Sequence, residues 1–297
     1  MSAKSAESGH GVWYALGAYF CWGLFPLYWK PLEQISPLQI LCHRLVWSAL
    51  FVFLLLVVRR QWEWLQPFRR EPKRLVFFML SSLMLSSNWL LYIWAVNSGH
   101  IVESSLGYFI NPLVNVSLGR LVLGERLNRP QKLAVALAAC GVLWLTLQLG
   151  AVPWVALGLA VSFGLYGLMR KRAPLPSLEG LALETFLLAP LALVWLIVLE
   201  WRGVGRFGHL PGMLNLMLVS AGVVTAVPLL LFAHGARRLK LATLGIIQYV
   251  SPSLQLLLGV AIYHEAFDAT RAIGFALIWA ALLLYSGSSL RALLRAR

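Results

Sequence analysis

The chain has 297 residues, of which 60% are hydrophobic and only 12% charged, with 13 Trp. Soluble domains carry about 25% charged residues, so these proportions exclude a water-soluble fold. The net charge of +14 would suggest nucleic acid in a soluble protein, but its placement along this chain gives a different explanation.

Apolar runs of roughly 20 residues, enough for a transmembrane helix, recur from end to end. In chain order they fall near Gly11–Trp29, Pro37–Val58, Leu75–Val96, Glu103–Leu123, Gln131–Gln148 and Pro153–Met169. Leu178–Leu199, Met213–Phe232, Leu241–Tyr263 and Arg271–Gly287 follow. The joints carry turn residues such as Lys30-Pro31, Pro67, Pro72, Asn128-Arg129-Pro130, Pro174, Pro176 and Pro211. The short polar N-terminus leads into a run without a small-residue cleavage site, so it reads as a retained helix rather than a signal peptide. Cys21, Cys42 and Cys140 are far apart and lack metal or disulfide spacing.

Basic residues set the orientation. With a cytoplasmic N-terminus, one set of loops holds 19 Lys and Arg and the opposite set only Lys30, Arg202, Arg206 and Arg271. Both termini are therefore expected in the cytoplasm, with an even number of spans. The same split accounts for the net charge without a nucleic-acid partner.

The two halves share an offset. Leu16-Gly17, Gly23-Leu24 and Lys30 return as Leu157-Gly158, Gly164-Leu165 and Lys171, 141 positions on. Pro112, Leu118-Gly119 and Glu125 return as Pro252, Leu258-Gly259 and Glu265, 140 positions on. Five helices per half is an odd number, so the second copy is inverted in the membrane. The expected fold is an all-α integral membrane protein of ten transmembrane helices in two inverted five-helix repeats. The repeats are 11–149 and 150–288, with tails at 1–10 and 289–297.

Further residues carry a resemblance. Asn88-Trp-Leu-Leu-Tyr-Ile-Trp-Ala-Val-Asn97, Glu103-Ser-Ser-Leu-Gly-Tyr-Phe-Ile-Asn-Pro112 and Leu123-Gly-Glu-Arg126 are similar to the RarD branch of the EamA transporters, within the drug/metabolite transporter superfamily. Tyr19-Phe-Cys-Trp-Gly23, His43-Arg44, Thr243-Leu-Gly245 and Gln248-Tyr249 match as well. The resemblance implies ten helices in two inverted repeats, a bacterial inner-membrane location and secondary transport. One departure is His264-Glu265, where the family's second repeat often has Gly-Glu.

Ionisable groups within hydrocarbon cost about 2.5–3.5 kcal/mol on insertion scales and mark functional candidates. Arg44 and His43 lie about seven residues into the second span, and Glu184 about six into the seventh, its repeat equivalent. Arg44 is expected to bind a substrate carboxylate or to be neutralised by a protonatable acid. A structural ion pair is the alternative. Glu103 and Glu184 are candidates for proton coupling or gating. Arg120, Glu125 and Glu265 suit helix ends and loop ties.

Trp22, Trp47, Asn88, Trp89, Tyr92, Tyr108, Asn111, Gln248 and Tyr249 fall inside spans, as does Asn115, and are expected to line a substrate cavity. Joining helices is the alternative for the amides. Trp13, Trp29, Trp62, Trp64 and Trp201 lie near span ends as interface anchors. Pro112 and Pro252 interrupt matching helices and are expected to bend at a cavity or gate.

The function expected is alternating-access transport of a small organic solute, such as an amphipathic metabolite, an amino acid or a drug, with proton coupling or exchange. The expected partners are that solute and the lipid bilayer, the chain working as a monomer or a homodimer, with no cofactor and no metal. No Walker A sequence appears, nor an HExxH or GxSxG motif for an intramembrane enzyme. A channel would favour rings of like residues rather than an internal inverted repeat.

Overall fold

The computed structural model describes residues 3–60, 62–65, 73–97, 101–148, 153–262 and 269–295. Among these the regular structure is helical throughout. The helices are α1 (Ala3–Gly23), α2 (Phe25–Trp29), α3 (Pro37–Arg59), α4 (Lys73–Asn97), α5 (Ile101–Leu123) and α6 (Arg129–Leu147). The others are α7 (Trp154–Arg172), α8 (Ser177–Trp201), α9 (Gly212–Arg238), α10 (Leu241–Gln248), α11 (Val250–Ala261) and α12 (Ala269–Arg295).

Local chemistry fixes the ends. Pro37 sits in the first turn of α3, where its missing N–H costs nothing, and the Ser36 side chain accepts from Gln39 N. Arg60 closes α3 in the left-handed region at φ 52°. Asn128 and Gln131 form a capping box at the start of α6, again with a proline in the first turn.

By length and composition, seven described segments can cross a membrane: Pro37–Arg59, Leu75–Tyr92, Leu106–Leu123, Arg129–Leu147, Ser177–Trp201, Gly212–Arg238 and Leu241–Ala261. Ala272–Ser288 is a shorter apolar helix. The other expected spans coincide with α1 and α7. The first opens on polar residues, and the second ends on Arg170-Lys171-Arg172, which lowers its mean hydropathy. The chain is a multi-pass membrane protein, and many of its large apolar side chains face outward, among them Val58, Leu121, Leu191 and Leu283.

Contacts between the halves come in matched pairs. Helix α1 packs on α9 and α4 on α7; α3 packs on both α8 and α9, and α4 also meets α8. Helix α6 packs on α12, with Ala134 and Ala138 fully buried there and Gly141 against the Gly274 carbonyl. The small residues let the two backbones approach.

The two prolines act differently. Helix α5 runs through Pro112 unbroken, whereas its counterpart ends at Gln248 and restarts at Val250 with Pro252 in the first turn. Gly245 lies against the Pro112 backbone, so close that any side chain there would clash. Pro112 therefore sits in the contact of α5 with α10, whereas Pro252 lies beyond the break, in α11.

Candidate functional site

Arg44, about two turns past the start of α3, points into the bundle and is half-buried. Its Nε donates to Thr225 Oγ1 of α9 at 2.9 Å. The guanidinium carbon lies over three rings: Trp29 at 4.8 Å, Trp89 at 5.1 Å and Phe25 at 6.0 Å from their centroids. These distances fall within the range of cation–π attraction. Tyr28, Tyr92 and Tyr108 lie within electrostatic reach of the same cation, and the Tyr92 and Tyr108 rings meet edge to face at 6.2 Å. Both tyrosines are 38% exposed. Among the described residues, no carboxylate forms an ion pair with Arg44.

Of the residues singled out from the sequence, Trp89, Tyr92 and Tyr108 lie around Arg44. The sequence reading missed Phe25, Tyr28 and Trp29. Trp29 had been read as an interface anchor, but it carries the closest ring to the Arg44 cation. The sequence carries no signal for this, because it depends on the break between α1 and α2 at Leu24.

Other expected site residues lie elsewhere. His43 is buried and tilts against Phe207 of the α8–α9 loop at 5.1 Å, and Trp47 meets the same ring at 5.9 Å. Gln39 Nε2 holds that loop through the Val204 carbonyl. Trp22 belongs to an aromatic cluster with Tyr19, Phe163 and Phe232.

The amides join helices. Asn88 donates to Leu159 O and Ser162 Oγ, tying α4 to α7. Asn111 donates to Ala160 O, and Asn115 bridges Asn111 and Gln248 across α5 and α10. Tyr249 donates to Phe109 O. The Glu103 side chain, His264 and Glu265 lie outside the described residues.

Glu184 is buried at the opposite pole. It pairs with Arg170 Nη1 at 3.4 Å, with both side chains at most 2% exposed. Ser81 donates to its Oε1 at 2.6 Å and Tyr166 to its Oε2 at 3.3 Å. A cavity with room for about one water lies between the two sites, with Ser48, Leu85, Trp89, Glu184, Thr185 and Thr225 among its walls. Glu184 and the Thr225 that holds Arg44 thus line the same cavity.

The end of the bundle rich in basic residues is tied shut. Glu125 accepts from the backbone N–H groups of Leu241 and Ala242 at 2.7 and 3.0 Å, capping α10 with both oxygens. Lys171 lies 3.9 Å from the same carboxylate and also donates to the Leu239 carbonyl. Arg172 donates to Val122 O at 2.9 Å, and Arg237 donates to the Ala173 and Leu175 carbonyls. Glu125 thus ties loops, as its position suggested, but the helix it caps lies in the other half of the chain. Arg120 is exposed in the last turn of α5. Among the described residues, no group of three or more His, Cys, Asp or Glu is placed to hold a metal ion.

The EamA-like transporter family model matches residues 9–147 and again residues 151–287. The chain belongs to the EamA-like transporter family. Within that family it is of the RarD type, being 45% identical over 285 residues to protein RarD of Escherichia coli (strain K12), with 96% of each chain covered. It is 50% identical over 293 residues to the uncharacterized transporter YojE of Bacillus subtilis (strain 168), with 97% of each covered. A solved crystal structure superposes on it with a TM-score of 0.70 at 19% identity, covering 93% of this chain and 96% of the other, which shows a shared fold. As an EamA-type chain with multiple apolar helices, it is a membrane transporter, and this membership points away from an enzyme.

Proposed function

We propose that the chain is a secondary active transporter that carries a small carboxylate-bearing organic solute across the inner membrane by alternating access. On this reading the two halves are inverted repeats of five helices. The double match of the family model and the paired contacts between halves support that arrangement. The excess of Lys and Arg at the tied end supports a cytoplasmic position for that end. The Arg44 site then opens to the periplasm, and the cytoplasmic side is closed.

The observation that carries the substrate class is that Arg44 has no carboxylate partner among the described residues. A guanidinium held inside a bundle over ring faces, with a single hydroxyl partner, retains donors for a carboxylate fork. Trp29, Trp89, Tyr92 and Tyr108 then offer the flat apolar surface that the rest of an amphipathic solute needs. A neutral drug would leave the cation unmatched. On this reading the cavity between the two sites widens into a passage in another state, and Glu184, buried in its wall, is the group of this site fitted for proton coupling.

The test is uptake into proteoliposomes with and without a pH gradient. The panel contains the amino acids, their amides and chloramphenicol. Saturable uptake of acids but not of their amides, lost in Arg44→Ala, is the expected result. Uptake of acids and amides alike, untouched by the substitution, would remove Arg44 as the anchor.

A further inference from the structure

The pole of the passage around Glu184 repeats the Arg44 site with one group exchanged. The sequence Cys21-Trp-Gly-Leu-Phe-Pro-Leu-Tyr-Trp-Lys30 runs in register with Ser162-Phe-Gly-Leu-Tyr-Gly-Leu-Met-Arg-Lys171, 141 positions on. Likewise Pro37-Leu-Gln-Ile-Leu-Cys-His-Arg44 runs in register with Ser177-Leu-Glu-Gly-Leu-Ala-Leu-Glu184, 140 positions on. This register sets Phe25 against Tyr166, Trp29 against Arg170 and Arg44 against Glu184.

The contacts follow the register. Phe25 and Trp29 meet the Arg44 cation, while Tyr166 and Arg170 meet the Glu184 anion. Each charge also takes a hydroxyl from the third long helix of the other half, Thr225 for Arg44 and Ser81 for Glu184. The periplasmic pole has a cation and no acid among the described residues, whereas the cytoplasmic pole has both.

Arg170 has the features of a receptor. Its guanidinium is fully buried, yet Nη1 reaches Glu184 only at 3.4 Å, well beyond the 2.7–2.9 Å of a tight charged hydrogen bond. Its Nη2 donates to Ser177 O at 3.0 Å, and its Nε is buried without a partner. A buried N–H left unmade is costly, which makes it a point where a better acceptor would bind. Gly180 supplies the room: a Cβ there would collide with Nη1.

We propose that Arg170 is a second carboxylate-binding cation, on the cytoplasmic side of the passage, and that the Glu184 carboxylate occupies it as a tethered stand-in while that side is closed. This rests on the Arg44 reading above. When α7 and α8 part, Arg170 releases Glu184, which keeps Ser81 of α4 as a donor. The guanidinium then presents the vacated Nη1 and the unpartnered Nε as donors to a solute carboxylate.

The experiment uses purified full-length protein and the melting temperature as readout, with benzoate as the probe and benzamide as its uncharged isostere. Arg44→Ala is expected to lose the saturable benzoate shift of the wild type. Adding Glu184→Gln is expected to restore a saturable shift with benzoate alone, and adding Arg170→Ala to that double variant is expected to abolish it. A folded double variant without the restored shift, or a restored shift that survives loss of Arg170, would overturn the proposal. Arg44→Ala protein that binds benzoate like the wild type would instead sink the Arg44 reading, and the gain on Glu184→Gln would still report on Arg170.

Should Glu184→Gln fail to fold, Glu184→Asp shortens the stand-in by one methylene and keeps its charge. In membranes, Arg170 of that variant is expected to react with phenylglyoxal several-fold faster than in the wild type, with benzoate but not benzamide protecting it. Equal reactivity, or no protection by benzoate, would count against the proposal.

Discussion

Arg44 shows how one charge is made tolerable inside a bundle without being neutralised. Ring faces on two sides replace part of its hydration, one hydroxyl fixes Nε, and the remaining donors stay available. Arg44→Lys keeps the charge but loses the flat stacking and the fork. We therefore expect it to fall between wild type and Arg44→Ala in kcat/KM for the transported acid, with the loss for alanine about 10- to 100-fold, from roughly 1.5–3 kcal/mol per charged hydrogen bond. A lysine variant as poor as alanine would show that fork geometry decides, and one equal to wild type would show that charge alone does.

Thr225→Val removes the hydroxyl and keeps the volume. It should raise KM about 5- to 10-fold, from the roughly 1–1.5 kcal/mol of one hydrogen bond, with little change in kcat. An unchanged KM in transport assays would mean that Thr225 does not position the cation.

At the same scale, the sequence shows Arg44 because a lone cation in an apolar run is conspicuous. It hides Arg170, which stands in the run Arg170-Lys171-Arg172 at a helix end. Read as a string, that run is a loop-facing basic patch. Only the helical turn separates the buried Arg170 from the exposed Arg172. Asn111, Asn115 and Gln248 show the converse: amides inside a span satisfy either a solute or a neighbouring helix, and here each is engaged by a helix.

Among the elements, α10 and α5 bear most directly on how the bundle could change state. Helix α10 is only eight residues long, so its start matters. Glu125 provides its cap from the other half of the chain and holds Lys171 as well. Glu125→Ala leaves two N–H groups unpaired and should cost about 1–2 kcal/mol, the range for a lost cap. In melting of the purified protein this corresponds to a fall of several degrees. No change in melting would mean that water serves the helix start as well.

Gly222 lies against the Trp47 backbone, where a Cβ would fall well inside contact distance of the carbonyl. Gly222→Ala must push α9 from α3 and is expected to lower the melting temperature and transport together. A fully active, equally stable alanine variant would contradict that packing.

Helix boundaries were readable because prolines and capping residues sit where helices start. Pro37 with Ser36 and Pro130 with Asn128 are examples. The unequal effect of Pro112 and Pro252 was not readable. Identical residues at matching positions leave one helix continuous and the other broken at Tyr249, because their packing partners differ.

Across the whole molecule, the structure closes one end through Glu125, Lys171, Arg237 and the Arg170–Glu184 pair, and leaves rings exposed at the other. The internal offset near 140 residues was the most informative global signal in the sequence, because it also relates the contacts around Arg44 to those around Glu184. Composition showed a membrane protein but not how many helices satisfy a span criterion, since α7 carries its own basic anchor.

Alternating access is the central claim, and counterflow tests it most directly. Proteoliposomes are loaded with the unlabelled acid that the uptake panel identifies, and entry of the labelled acid is followed with wild-type and Arg44→Ala protein. The account predicts that loading accelerates labelled entry several-fold, transiently and saturably, and that the alanine variant abolishes this. Labelled entry that rises linearly with concentration and ignores the solute inside would contradict it, and would describe a channel.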